Sequence, residues 1–448
     1  SIYPDFLASE PFASELDEDF NVGDPDFDDY EREQFAVGYS LDHRFDDVFS
    51  ITSKLRYFAI DQDFQGIQMA PGGLSAGGEL ARQAARSIED VWGIASDNRA
   101  QLEFATGDVG HVAQLGVDYQ TSDSNWEYRF GAASSLNVIN PQYGGAVGSL
   151  ATFIDSRQTL QQLGVYAQDQ VSFGGFHVDL GLRYDWTDQE TENRLTGTTS
   201  SQSSSSPSYR VGLLYKFENG LAPYASYSTS FEPTVGVDAE GNAFVPTEAT
   251  QLEAGLKYEP TFMEALFTAS AFEIRQQNVL TPGPTPGFNV QQGEVRSRGL
   301  EFEARGNVTE NLEVIGALTL LETEVTKSTD ASTIGKRPQA APQYYGSLWA
   351  NYGIDFGFLD GLSLGAGLRF VGSSYADDAN TVKADGYTLV DAALNYDLEQ
   401  FSPALAGAEL TLNANNLLDT DYYASCTSGF YCQYGDGLQL LAGLRYKW

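Results

Sequence analysis

Residues 439–448 read QLLAGLRYKW, and the alternation in that stretch decides the fold. Leu440, Ala442, Leu444, Tyr446 and Trp448 occupy one parity, while Gln439, Gly443, Arg445 and Lys447 occupy most of the other. A period of two places one set on each side of a pleated strand, so one face is apolar and the other wet. Working back along the chain, Val178, Leu180, Leu182, Tyr184 and Trp186 alternate with His177, Asp179, Gly181, Arg183 and Asp185. Tyr209, Val211, Leu213, Tyr215 and Phe217 repeat the pattern, and apolar segments of helical period are absent. About 17 strands follow, starting near Gln34, Phe49, Asn98, His111, Leu163, Phe176, Ser208, Leu221, Ala249, Met263, Val295, Asn311, Gln343, Gly361, Gly386, Gly407 and Leu438. A strand of about ten residues, tilted by ~45°, spans an apolar band of ~25 Å, a bilayer dimension.

Composition narrows the classes. The chain has 448 residues, with 62 acidic against 25 basic, a net charge of −37. That excess argues against a nucleic-acid partner, because phosphate binding needs a basic face. With 27 Phe and 25 Tyr it is too aromatic for an acidic disordered polymer. No stretch approaches the ~18 consecutive apolar residues of a membrane helix. No composition break divides the chain, so one large unit is expected.

Connections alternate in length. Short turns near residues 44–48, 217–220, 259–262 and 306–310 carry Gly, Asn, Asp or Pro. Between them lie long segments at 61–97, 121–162, 187–207, 230–248, 275–294, 322–342, 372–385 and 417–437, read as loops. Segregation of loop length by strand end is the habit of outer-membrane barrels, with short periplasmic turns and long extracellular loops. The fold class is therefore all-β, a transmembrane antiparallel β-barrel. Residues 1–33 are expected as an extracellular loop segment and 34–448 as barrel. Residues 1–29 lack the apolar core of a signal peptide. An odd strand count that ends on the periplasmic side also starts the chain outside the cell, which predicts missing N-terminal sequence.

Enzymatic and metal motifs find little support. Gly73, Ser75 and Gly77 match the spacing of a nucleophile elbow, but in a Gly/Ala-rich loop. His43, His111 and His177 stand in no ligand spacing, and Gly335–Lys336 lacks the upstream glycine of a phosphate loop. Asp24, Asp26 and Asp28 open like a calcium loop, yet Asp29 replaces the glycine and Phe35 the final glutamate. No metal, cofactor or enzymatic activity is expected. Residues 200–206 are read as a mobile serine-rich loop tip. Cys426 and Cys432, the two cysteines of the chain, favour a small disulfide clip in the last long loop.

Aromatics at strand ends suit an interfacial girdle. Tyr3, Phe6, Phe64, Tyr143, Phe430 and Tyr431 lie instead in segments read as loops, where they could wall an extracellular ligand cup. The wet parity carries mixed charge, including Arg183, Asp185, Arg210, Glu253, Lys257, Glu301, Glu303, Arg369 and Asp391, as a water-filled or protein-filled lumen requires.

At GVYAQDQ (164–170), GLRYDW (181–186), YASYSTSFEP (224–233), EAGLKY (253–258), RGLEFEA (298–304), NNLLD (415–419) and GLRYKW (443–448), the sequence resembles TonB-dependent outer-membrane receptors, most closely the ferrichrome-type hydroxamate siderophore receptors. The resemblance implies a barrel of roughly 22 strands around an N-terminal plug. It also implies an inner-membrane TonB energy-coupling complex that acts through that plug, which this chain lacks together with about five strands. The implied partners are a ferric siderophore, outer-membrane lipid and lipopolysaccharide, and the barrel assembly machinery, for which Gly443, Tyr446 and Trp448 form the terminal signal. The function expected is TonB-dependent uptake of a ferric hydroxamate such as ferrichrome by a receptor in the outer membrane of a Gram-negative cell. The alternatives are a receptor for another siderophore or a cobalamin, a passive diffusion channel, and an outer-membrane hydrolase.

Overall fold

The computed structural model describes residues 20–75, 77–282, 288–428 and 431–447. In chain order the strands are β1 (Asp29–Arg44), β2 (Phe49–Leu74), β3 (Glu79–Thr106), β4 (Val109–Asn137), β5 (Ala151–Phe173), β6 (Phe176–Asn193) and β7 (Thr198–Tyr215). They continue as β8 (Leu221–Glu232), β9 (Thr247–Tyr258), β10 (Ala265–Pro282), β11 (Asn289–Thr309), β12 (Leu312–Lys327), β13 (Tyr344–Ile354) and β14 (Leu362–Val371). After the two-residue strands β15 (Ser374–Tyr375) and β16 (Lys383–Ala384) come β17 (Tyr387–Asp397), β18 (Ala408–Asn415), β19 (Tyr423–Ser428), β20 (Tyr431–Tyr434) and β21 (Gln439–Tyr446). Two hairpins, β15–β16 and β19–β20, stand apart; the other 17 strands form one antiparallel sheet in chain order. Each of the 17 contains or adjoins one of the starts read from the sequence. Among the described residues β1 and β21 each pair along a single edge.

Register settles the faces, since residues directly opposite on neighbouring strands share a side. Tyr39 faces Leu55, Phe49 faces Leu102, Leu115 faces Ala167, and Leu182 faces Tyr209. The outward apolar band runs on unbroken through Ala254 and Ala271, Phe302 and Leu318, Leu348 and Leu368, and Leu412 and Ala442. Leu182 is 61% and Leu444 72% exposed. Side chains of this kind are normally withdrawn from water, and here hydrocarbon takes the place of a core. Opposite them, Arg183 binds Asp118 and Asp185, Arg369 binds Asp391, and the Tyr166 hydroxyl donates to Asp97 at 2.9 Å. The charged parity therefore lines the interior, as its sequence pattern implied.

The strands are far from uniform. β3 and β4 have 28 and 29 residues, against 10 in β14 and 8 in β21. At ~3.3 Å per residue and ~45° tilt, a strand of that size rises ~65 Å, so some 40 Å of it stands clear of the apolar band. Segments 61–97, 121–162 and 187–207, read as loops, are thus mostly strand, with tips only at 75–78, 138–150 and 194–197. The serine-rich stretch is likewise not a loop tip. Ser200–Ser206 pairs with β6, from Thr191↔Ser200 to Asp185↔Ser206. Backbone hydrogen bonds define that strand, and serine supplies them as well as any residue. Likewise β1 begins at Asp29, inside the segment expected as loop.

Among the described residues of the acidic start, Asp24 and Asp28 have structural roles. Asp24, 1% exposed, accepts from the amides of Asp26 and Gly144 and faces Arg82 at 3.7 Å. Asp28 accepts from the amides of Asp24 and Ile67. Arg82, fully buried, donates to the carbonyls of Gly23, Val22 and Ser134, and thereby ties residues 20–28 to the top of β3 and β4.

On the long-loop rim, Cys426 and Cys432 form the expected disulfide. Both are completely buried against Ala376 and Ala384, so the clip joins two neighbouring loops rather than closing one in solvent. Asn380 accepts from the Arg337 amide and donates to its carbonyl, which adds the loop after β12 to the cluster. Asp377 caps the turn at 377–381. Burial alone would raise its pKa, but the Thr381 hydroxyl and the amides of Val382 and Thr381 prevail and hold it below the usual 3.8.

Two outcomes follow. Because the folded-state pKa of Asp377 is depressed, its stabilising contribution is complete above the unfolded value and is lost as pH falls through the lower one. Protection of the Thr381 and Val382 amides from hydrogen exchange, taken relative to the intrinsic rate at each pH, should be constant at neutral pH and fall only below pH 3.8. The second concerns Gly220 (φ +87°), where a Cβ would lie 1.8 Å from the Glu259 carbonyl oxygen, whereas one at Gly241 (φ +85°) would meet nothing within 4 Å. Gly220→Ala should abolish heat-modifiable migration of the folded barrel on gels; Gly241→Ala, with only φ strain of about 1 kcal/mol, should preserve it.

Candidate functional site

The two faces exchange character where β2 and β4 leave the apolar band. On β2 the outward parity runs Phe49, Ile51, Leu55 and Tyr57, then Asp61 and Asp63, while the inward parity runs Ser50, Thr52, Lys54 and Arg56, then Phe58, Ile60 and Phe64. β4 repeats this: outward Leu115, Val117 and Tyr119 give way to Asp123, Glu127 and Arg129, and inward Gln114, Asp118 and Gln120 give way to Trp126, Tyr128 and Phe130. The physical cause is a change of solvent. Below the girdle the outside is hydrocarbon; above it the outside is water, and apolar surface concentrates on the inner side. The outer face there is a lattice of ion pairs: Arg86–Asp63, Arg129–Glu127 at 2.7 Å, Arg157–Asp123 at 2.5 Å, and Arg194 with Asp155 at 3.6 Å.

The inner face of the extension is the candidate site. Ser87 of β3 lies opposite both Phe64 of β2 and Tyr128 of β4, and Phe64 lies opposite Tyr30, which puts three aromatics on one rung of the sheet. Tyr30 meets Phe64 edge-on at 6.3 Å, and its hydroxyl donates to Gln62. Along β4, Trp126, Tyr128 and Phe130 follow at 6.1 and 5.9 Å, and Phe130 continues to Phe153 at 4.9 Å. The indole is fixed in place: Trp126 Nε1 donates to Ser87 Oγ at 2.9 Å, and Ser87 Oγ donates to Glu89 Oε1 at 2.8 Å. Rings held by strands, with a few oriented polar atoms among them, make a wall suited to a compact ligand of mixed polarity.

A loop closes this wall from the side. Residues 233–246, between β8 and β9, turn inward until the Phe244 carbonyl accepts from Gln189 Nε2 of β6 at 2.9 Å. The same loop is clasped on its other flank, where Val245 N donates to Gln291 Oε1 at 2.8 Å and Asn278 Nδ2 donates to the Pro246 carbonyl. At its tip Asp238 is held below the usual carboxylate range, first by the Asn242 side chain and then by backbone amides.

Of the aromatics singled out as cup residues, Phe64 is part of the inner wall, on a strand rather than a loop. Tyr143 sits in the loop 138–150, its hydroxyl donating to the Asn21 carbonyl at 2.8 Å, a role in anchoring the start of the chain. Tyr431 contributes its backbone to β20; Tyr3, Phe6, Phe430 and Trp448 lie outside the described residues. Gly443 and Tyr446 stand in β21, inward and outward respectively. Trp126, Tyr128, Phe130 and Tyr30 complete the wall beyond the residues expected there, and the alternation through WEYRF at 126–130 is a usable signal once read as strand. Ser75, of the elbow-like motif, sits in a strand-to-strand hairpin tip, and its hydroxyl accepts from the Glu79 amide.

Comparison with known proteins agrees with this architecture. The family model "TonB dependent receptor-like, beta-barrel" matches residues 3–417. The chain is 36% identical to the ferrichrome outer membrane transporter/phage receptor of Escherichia coli, over 98% of this chain and 61% of that protein. It is also 36% identical to the ferrioxamine B receptor of Salmonella typhimurium, over 93% of this chain and 58% of that one. The chain thus spans about three fifths of the length of these relatives. Among solved structures, the siderophore receptor PiuA of Acinetobacter baumannii superimposes with a TM-score of 0.84 at 22% identity, covering 97% of this chain and 67% of that one, a likeness of fold. Both curated relatives are described as transporters or receptors rather than enzymes. The chain belongs to the TonB-dependent receptor-like β-barrel family of the outer membrane.

Proposed function

We propose that this chain is the wall of a receptor for TonB-dependent uptake of a ferric hydroxamate siderophore. The observation that carries the reading is the aromatic inner wall of the extension, from Tyr30 and Phe64 to Trp126, Tyr128 and Phe130, held above the apolar band. A ferric hydroxamate is a compact complex with an apolar rim and amide carbonyls. Ring faces match the rim, and the Gln62 side-chain amide, whose oxygen accepts from the Tyr30 hydroxyl, has N–H groups to offer the carbonyls. The relatives described for ferrichrome and ferrioxamine B point to the same ligand class. In this reading the ligand rests against the wall, energy arrives from the TonB complex through a plug, and lipopolysaccharide surrounds the outer ion-pair lattice. The barrel assembly machinery would read the terminal strand, and residues 1–28 would lie outside the cell.

The test is titration of the full-length protein with a ferric trihydroxamate, read by tryptophan fluorescence and by calorimetry. Trp126→Ala and Tyr128→Ala should each weaken binding by about 1–2 kcal/mol, roughly five- to thirtyfold, with unchanged thermal unfolding. Arg157→Ala, at a similar height on the outer face, should bind as wild type. Saturable binding of a cobalamin but of no hydroxamate, or steady open conductance in a bilayer, would overturn the proposal.

A further inference from the structure

The carboxylate at the end of the Trp126–Ser87–Glu89 chain has one oxygen to spare. Glu89 lies on the inward parity of β3, opposite Gln62 on one side and Trp126 on the other, in the middle of the aromatic wall. Its Oε1 accepts from Ser87 at 2.8 Å, and among the described residues no cation pairs with it. The outer face at this height behaves differently, for Asp63, Asp123, Glu127 and Asp155 each hold an arginine. Arg32 shares the rung of Glu89 but stands two strands away, ~10 Å at ~4.8 Å per strand, and donates to Gln34 instead. A carboxylate left without a counter-ion, flanked by an indole whose ring face attracts cations, is a receptor for positive charge.

We infer that the wall selects a ferric hydroxamate bearing a cationic group, an alkylammonium, which Glu89 and the Trp126 ring receive together. This rests on the hydroxamate reading and sharpens it, since the overall charge of −37 would also draw a cationic complex toward the protein. The hydrogen bond from Ser87 commits that hydroxyl proton to Glu89 Oε1 and leaves Oε2 as the acceptor for an incoming ammonium. Glu89 is a specificity residue and takes part in no chemistry.

Three ligands test it on the full-length protein: a linear ferric trihydroxamate with a terminal ammonium, the same chelate N-acetylated, and a neutral cyclic ferric trihydroxamate. Wild type should bind the ammonium form about tenfold more tightly than its acetylated twin, with the advantage shrinking as salt rises. Glu89→Gln, which keeps shape and an acceptor for Ser87, should erase that advantage and leave the two neutral ligands within about twofold of wild type. Equal wild-type affinity for the ammonium and acetylated forms, or an equal loss of all three ligands in Glu89→Gln, would overturn the inference while the hydroxamate reading stands. Failure of all three to bind wild type would overturn both.

Discussion

Inside a bilayer no water is available to satisfy a peptide group, and every strand of this protein answers to that constraint. A backbone that crosses hydrocarbon as strands must find its partners on neighbouring strands, so the 17 sheet strands pair in chain order from β1 to β21, and the hairpins β15–β16 and β19–β20 lie outside that ladder. Continuous pairing in turn makes parity continuous. Once Phe49 faces lipid, the register obliges Leu102, Ala113 and each later partner to do the same. The outward band and the charged interior are two consequences of one hydrogen-bonding requirement.

The same register persists into the extension, where the solvent changes and the residue pattern inverts with it. Arginine–carboxylate pairs on the outer face are partly hydrated and individually contribute little, about 0–1 kcal/mol each. Their value lies in covering a tall sheet with groups that water tolerates. Aromatics moved to the inner side gain the opposite property. They are apolar, held rigid by the strands beneath them, and open toward the interior. The buried Arg82–Asp24 contact, the Gln291–Val245 clasp and the fully buried disulfide then fix three parts of the rim at the positions the wall requires.

How much could be read from residues depended on whether the local pattern kept its phase. Strands β13, β14, β17, β18 and β21 stay within the apolar band, and their alternation marks them without ambiguity. In β2 and β4 the apolar set jumps from one parity to the other, near Tyr57–Phe58 and Tyr119–Gln120, and a continuous apolar face ends there. That is why Trp126, Tyr128 and Phe130 were assigned to a loop, although each half of β4 alternates cleanly by itself. Ser200–Ser206 failed for another reason. A serine run has no apolar face, and only its partner β6 reveals that it is a strand. Phe64 stands on a strand, past the jump of parity in β2, and the Tyr143–Asn21 contact spans too much sequence for any local pattern to signal it.

By itself the sequence determined the number of sheet strands, the face each strand turns to lipid, the charged interior and the pairing of the two cysteines, because these follow from residue alternation and composition close along the chain. The tertiary structure alone decided how high the wall rises, which aromatics meet across it, and that among the described residues Glu89 has no counter-ion while carboxylates at the same height on the outer face have one. Those properties depend on register between strands and on contacts between residues far apart in the chain, such as Ser87 with Trp126 and Arg82 with Ser134. Local periodicity carries no information about such contacts.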